Sequence, residues 1–142
     1  MNTTKMLISG IAGGIAAFFA GWLIYGIVLT DFMAQNTAPG ATGIMRAEAD
    51  MVWWAMIAGN LLYGLLFSYI FNRWGQVNTL SGGLTGGAII GLLIGAAIDL
   101  TIHAQMNIFT LNAVWVDVAA SAVLGAVTGA VVGWVNGMGK KA

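Results

Sequence analysis

Three ionisable side chains near the ends of apolar segments are the residues best suited to chemistry in this chain: Asp99, His103 and Asp117. Asp99 and His103 are four residues apart, so on a helix they lie side by side. Asp117 reaches this pair if its helix packs antiparallel to theirs. A carboxylate–imidazole–carboxylate cluster within a membrane can bind or transfer a proton. The alternatives are a polar clamp that fixes helix register and three separate, water-exposed side chains.

Other kinds of chemistry lack a motif. A single histidine with carboxylates, in a chain without cysteine, is a poor ligand set for a transition metal, so we expect no metal and no cofactor. The sequence contains no nucleotide-binding loop, no HExxH pattern and no serine–histidine pair in a recognisable context. We therefore expect that the protein is not an enzyme. A net charge of zero with scattered cations argues against nucleic acid as a partner.

The amino-acid composition indicates whether water or lipid surrounds these residues. Of the 142 residues, 59% are hydrophobic and 7% are charged, whereas a soluble domain carries about 25% charged residues. The mean hydropathy is +0.88. These values exclude a free cytosolic or secreted domain and indicate that the lipid bilayer surrounds the protein.

Four uncharged or nearly uncharged stretches are long enough to cross a bilayer, which takes about 20 residues of helix. None of them contains proline. The sequence predicts an all-α, polytopic membrane protein in which residues 1–142 form one transmembrane domain, a glycine-rich four-helix bundle. The predicted spans are residues 6–30, 52–71, 81–102 and 113–135.

The basic residues predict the orientation of the bundle. Four cations fall on one side of the membrane and Arg46 falls on the other; the four are Lys5, Arg73, Lys140 and Lys141. Because basic residues are retained inside, both termini should be cytoplasmic, and we expect a bacterial inner-membrane location. The acids collect near the outer ends of the spans: Asp31, Glu48, Asp50, Asp99 and Asp117.

Small residues recur every four positions in the last two spans. Such strips let two helix backbones approach closely, because no side chain separates them. The sequence does not say whether the contact lies within one chain or between chains, and we expect a homo-oligomer or a subunit of a larger membrane complex. The strips are Gly83, Gly87, Gly91 and Gly95 in the third span, and Ser121, Gly125, Gly129 and Gly133 in the fourth.

Asn60 is a polar side chain in the middle of the second predicted span. An amide in hydrocarbon seeks a partner, and such bonds between membrane helices contribute about 0.6–2 kcal/mol. We therefore predict that Asn60 forms a hydrogen bond between helices. Lining of a pore is the alternative.

Three segments carry a resemblance to known proteins: Phe19–Gly26 (FAGWLIYG) with Phe32 and Met33 just after it, the glycine-rich third span, and the closing Gly125–Gly133 stretch. They resemble an uncharacterised family of small, four-helix bacterial membrane proteins, known as a domain of unknown function. The resemblance implies four spans and no assigned activity.

Two functions are compatible with these patterns. The first is a structural or accessory membrane component, or one that forms oligomers, packing through its glycine-rich helix faces. The alternative is a small channel or carrier for protons, ions or a small solute that uses Asp99, His103 and Asp117.

Overall fold

The computed structural model describes residues 2–139, which are mostly helical and contain no β-strand in that range. Four helices are long and apolar enough to cross a membrane, as the sequence predicted. A short helix, α2, follows the first of them. The α-helical segments are α1 (Thr3–Leu23), α2 (Thr30–Gln35), α3 (Trp53–Ile70), α4 (Leu80–Gln105) and α5 (Leu111–Gly137).

The helices end a few residues from the bounds predicted for the spans. Apolar windows follow the hydrocarbon core, whereas helical hydrogen bonding continues until a cap or an irregular turn ends it. The side chain of Thr110 accepts a bond from the Ala113 amide and so starts α5 early. The π-helical turns Ile24–Val28 and Phe71–Gly75 extend α1 and α3. Gln76, in the left-handed region at φ 46°, ends the second turn.

The long helices form a bundle in which α5 is the central element. α4 packs against α5, α5 packs against α1, and α1 packs against α3. A core at one end of the bundle consists of Phe67, Phe71 and Val132, each at most 2% exposed. The order of the helices matters because it places the polar groups of α4, α5 and α1 beside one another.

The contact between α4 and α5 is a contact of backbones. A Cβ added at Gly87 would lie 2.9 Å from the Cα of Gly129 and closer still to the carbonyl oxygen of Gly125. One added at Gly91 would lie 2.9 Å from the Cα of Gly125. The two predicted strips therefore pack on each other within one chain. Further contacts in the same interface come from Gly83, Gly95, Ser121 and Gly133.

α1 and α3 approach each other equally closely, although neither helix contains a comparably long strip of small residues. A Cβ added at Gly64 would lie 2.7 Å from the Cα of Gly14. One added at Gly14 would lie 2.7 Å from the Cα of Leu61. Close contacts through glycine are thus present at two antiparallel helix pairs of the bundle, α4 with α5 and α1 with α3.

Large apolar side chains cover the outside of the bundle. Trp54 and Trp74, at opposite ends of the second span, are 75% and 68% exposed. Trp115 and Trp134, near opposite ends of α5, are also exposed. A surface of this kind fits lipid, with tryptophans at the two headgroup levels. It agrees with the integral membrane class that the four apolar helices indicate.

Charge divides the two ends of the bundle. The end where α1 and α4 begin, here called the basic end, carries Lys5 and Arg73. The opposite end, here called the acidic end, carries Arg46 and all five acids. Lys140 and Lys141, which also entered the prediction of orientation, lie outside the described residues. Which end faces the cytoplasm stays a prediction.

Candidate functional site

The glycine strips bring two carboxyl groups together at the acidic end. Asp99 lies on α4 and Asp117 on α5, and each is half-buried. One turn below Asp99, Gly95 packs against Ser121, where an added Cβ would lie 2.5 Å from the Ser121 Cβ. This close packing places the carboxyl groups of Asp99 and Asp117 on one small cavity. The antiparallel approach on which the predicted cluster depended is therefore present for these two residues.

Tyr25 is the member of the site that the sequence analysis missed. Its hydroxyl donates a 2.5 Å hydrogen bond to Oδ1 of Asp117. Because Tyr25 comes from α1, the site joins three helices rather than the predicted two.

A π-helical turn sets the position of Tyr25. The Leu29 amide donates to the Ile24 carbonyl, five residues back, at 2.8 Å. The hydroxyl of Thr30 donates to the Tyr25 carbonyl at 2.9 Å. A π turn adds a residue to a helix, so it changes the face on which later side chains lie. Tyr25 lies at the start of this turn, which a regular period of 3.6 residues does not predict.

His103 lines the same small cavity as the two carboxyl groups, but it is more exposed than they are. The cavity has a volume of about 40 Å³. At about 10–15 Å³ of such volume per water, it has room for roughly three waters. His103 is exposed, and the hydrogen bond that holds Asp117 comes from Tyr25. The apolar walls are Ile102, Met106, Phe109, Ala113 and Val114.

The hydrogen bonding of Asp99 indicates what this site can bind. Its Oδ2 atom is buried and has no hydrogen-bond partner among residues 2–139. Two ionised carboxylates can only accept hydrogen bonds, so neither can satisfy the other. A proton on one of the two turns it into a donor for the other. The pair of Asp99 and Asp117 thus has the chemistry of a proton-binding site.

The two loops at the acidic end are joined over this cavity. The Ala38 amide donates to the Ile108 carbonyl at 2.8 Å, and the Thr110 amide donates to the Asn36 carbonyl at 2.9 Å. The Thr110 hydroxyl also donates to Oδ1 of Asn36 at 2.7 Å. Phe109, between these bonds, is one wall of the cavity. The loop pairing therefore fixes the start of α5 and the upper wall of the site.

Asn60 does not line the cavity of the carboxyl pair. Its amide nitrogen donates to the Met56 carbonyl, one turn earlier in α3, at 2.9 Å. This bond satisfies the amide within its own helix, as polar side chains in helices commonly do. The predicted bond to another helix is not among the hydrogen bonds that its side chain makes within residues 2–139.

A second polar network, at the basic end, was not predicted. The hydroxyls of Ser9 and Ser68 are 2.7 Å apart, and Ser68 donates to the Met6 carbonyl at 2.6 Å. The Asn72 amide donates to Oδ1 of Asn136 at 3.1 Å. These bonds tie α1, α3 and α5 together. Single polar residues in apolar helices were the available signal, but their sequence spacing does not pair them.

Packed apolar side chains separate the two polar ends. Ala17, midway along the first long helix, is fully buried, and Val132 and Phe67 are fully buried nearer the basic end. The buried hydroxyl of Thr128 donates to the Leu124 carbonyl of its own helix at 2.8 Å. Within the described part of the chain, no continuous file of polar groups connects the carboxyl pair with the network at the basic end.

In comparisons with known proteins, no family model, no curated protein and no solved structure matches the chain. The resemblance drawn from Phe19–Gly26 stays a prediction.

Proposed function

We propose that this protein is a structural or accessory component of a membrane, without enzymatic activity. The observation that carries the proposal is the close packing of the bundle, in which Ala17, midway along the first long helix, and the core residues Val132 and Phe67 are fully buried. A bundle held together by backbone contacts, with an apolar outer surface, suits a rigid component rather than an open pore.

The contacts of the glycine strips change how assembly should occur. Gly87 and Gly125 already face each other inside one chain, so they do not supply a surface for a second chain. Contacts with another copy, or with other subunits of a membrane complex, would instead use the exposed faces of the helices. α4, which packs mainly on α5, has the largest unoccupied surface for this purpose.

One experiment tests this proposal against transport. We expect that the protein purified from native membranes in mild detergent migrates as a complex larger than one chain. We also expect that pure protein in liposomes gives proton and potassium flux equal to that of empty vesicles. A single chain in detergent together with flux above the empty vesicles would contradict the proposal.

We also propose that the basic end faces the cytoplasm of a bacterial inner membrane, with both termini inside. The support is the placement of Lys5 and Arg73 at one end and the acids at the other. Because the chain has no cysteine, single cysteines can report the orientation. In intact cells an impermeant maleimide should label Gly43→Cys and spare Gln76→Cys. The reverse labelling would invert the orientation.

A second function, proton binding coupled to a membrane process, is supported by the unpartnered Oδ2 of Asp99. It predicts that proton flux, if liposomes show any, depends on this carboxyl. Asp99→Asn should return the flux to that of empty vesicles. Asp31→Asn is the matched control, because Asp31 is exposed at the same end and lies outside the cavity. Equal flux in both variants would argue against a role for the pair.

A further inference from the structure

The basic end contains two adjoining cavities that no function discussed so far uses. The first is polar, with a volume of about 310 Å³, and is lined by Asn2, Lys5, Phe71, Asn72, Gln76, Val77, Asn78 and Asn136. The second has a volume of about 340 Å³ and is lined by Asn2, Thr4, Lys5, Ile8, Val135 and Met138. Both volumes fall in the range of small-molecule sites. Asn2 and Lys5 belong to both cavities.

The polar groups of the first cavity favour an anion. Among residues 2–139, its lining contains one ammonium group and several side-chain amides, and no carboxylate of these residues lines either cavity. The acids of the described chain lie at the opposite end of the bundle. Within residues 2–139 the Lys5 ammonium donates one hydrogen bond, to the Met138 carbonyl at 2.8 Å. An ammonium group has three donors, so two remain for a ligand.

Hydrogen bonds hold the wall of this cavity in place. The Asn72 amide donates to the Ser68 carbonyl at 2.8 Å and to Oδ1 of Asn136 at 3.1 Å. The Asn136 amide donates in turn to the Val77 carbonyl at 3.2 Å. Two helices and the connection before α4 are thereby fixed around one space. A ligand would meet a largely preformed site, which lowers the cost of ordering on binding.

The second cavity indicates where the anion comes from. Ile8 and Val135 line it with apolar side chains from the first turns of α1 and the last turns of α5. These turns are at one end of two long apolar helices, where the headgroup and acyl chain of a lipid would meet. A free anion would use the polar cavity alone, whereas a lipid would use both, with its phosphate at the shared Lys5.

We propose that the basic end binds an anionic phospholipid, with the phosphate in the polar cavity and an acyl chain along Ile8 and Val135. Basic pockets between membrane helices are suited to such headgroups, and each basic residue near the membrane surface contributes to the attraction. The site is separate from the carboxyl pair, so it does not depend on either function proposed above.

Thermal stabilisation of the full chain in mild detergent tests the site. Phosphatidylglycerol should stabilise the wild type at lower concentration than phosphatidylcholine with the same acyl chains, and inorganic phosphate should have no effect. Lys5→Gln should raise the phosphatidylglycerol concentration needed for the same thermal stabilisation about fivefold. Arg73→Gln is the matched control, because Arg73 is exposed at the same end and lines neither cavity.

Four results would overturn the proposal. Equal thermal stabilisation by the two lipids would show that the site does not prefer an anionic headgroup. Equal stabilisation by inorganic phosphate would show that the site binds a free anion rather than a lipid. If Arg73→Gln weakens the stabilisation by phosphatidylglycerol as much as Lys5→Gln does, the attraction is a general property of the basic surface. If Lys5→Gln leaves that stabilisation unchanged, the lipid does not bind at Lys5.

If Lys5→Gln does not fold, Asn78→Asp tests the lipid site instead. It places a carboxylate of the same shape in the polar cavity and should also weaken the phosphatidylglycerol response. Asn112→Asp, at the acidic end, should leave that response unchanged. Equal responses of these two variants would overturn the proposal as well.

Discussion

Substitution of one glycine tests the backbone contact that organises the bundle. In Gly87→Ala, the new Cβ would lie 2.9 Å from the Cα of Gly129, whereas ordinary contact begins at 3.4 Å. The helices must therefore separate by about half an ångström at this point, and by more at the Gly125 carbonyl. Backbone atoms cannot rotate away, so the separation reduces contact along the whole α4–α5 interface.

The expected cost follows from two opposing effects. Overpacking costs about 1–3 kcal/mol, and the backbone clash places Gly87→Ala at the upper limit, about 3 kcal/mol. The higher helix propensity of alanine returns about 1 kcal/mol. We expect a net loss of about 2 kcal/mol in the free energy of unfolding. Gly59→Ala is the matched control, because an added Cβ at Gly59 meets nothing within 4 Å, and we expect a gain of up to about 1 kcal/mol.

Thermal unfolding of both variants in the same mild detergent measures this difference of about 3 kcal/mol. At about 2–4 °C per kcal/mol, the Tm of Gly87→Ala should fall roughly 6–12 °C below that of Gly59→Ala. If the two variants unfold at the same temperature, α4 and α5 do not pack through their glycine strips. A lower oligomeric state with an unchanged Tm would instead place the strips between chains.

Three further substitutions test the polar contacts. Tyr25→Phe removes the bond to Asp117 and should cost about 0.6–1.7 kcal/mol in unfolding free energy; an unchanged Tm would remove Tyr25 from the site. Thr110→Val removes the cap of α5 and the bond to Asn36, should cost about 1 kcal/mol, and should speed proteolysis of the loop before α3; equal digestion would refute the loop pairing. The double variant with Tyr25→Phe and Lys5→Gln should lose an unfolding free energy that differs by at least about 0.5 kcal/mol from the sum of the two single losses, because both bonds hold α1 on α5. If the double loss equals that sum, the two bonds act independently.

The sequence was sufficient for properties that depend on one helix at a time. Apolar windows predicted the four long helices, since a span of given length needs a minimum number of apolar residues. A repeat of four predicted that Gly87 and Gly125 lie in close contacts. The spacing of Asp99 and His103 placed them on one cavity. Each of these inferences uses the regular rise and turn of a helix.

Properties that depend on rotation between helices could not be predicted. The bond from Tyr25 to Asp117 spans 92 positions of sequence and joins two different helices. Ser9 and Ser68 meet across 59 positions. The identity of the partner of each glycine strip needed the order of helices around α5, which no periodicity contains.

The register of α1 on α5 links the two ends of the molecule. Tyr25 bonds to Asp117 at one end, and Lys5 bonds to the Met138 carbonyl at the other. The two residues are 20 positions apart, about 30 Å of helix. Between them, an added Cβ at Gly13 would collide with the side chain of Val132. A slide of α1 along α5 would break both bonds and create that collision, so the carboxyl pair and the proposed lipid site depend on one shared helix register.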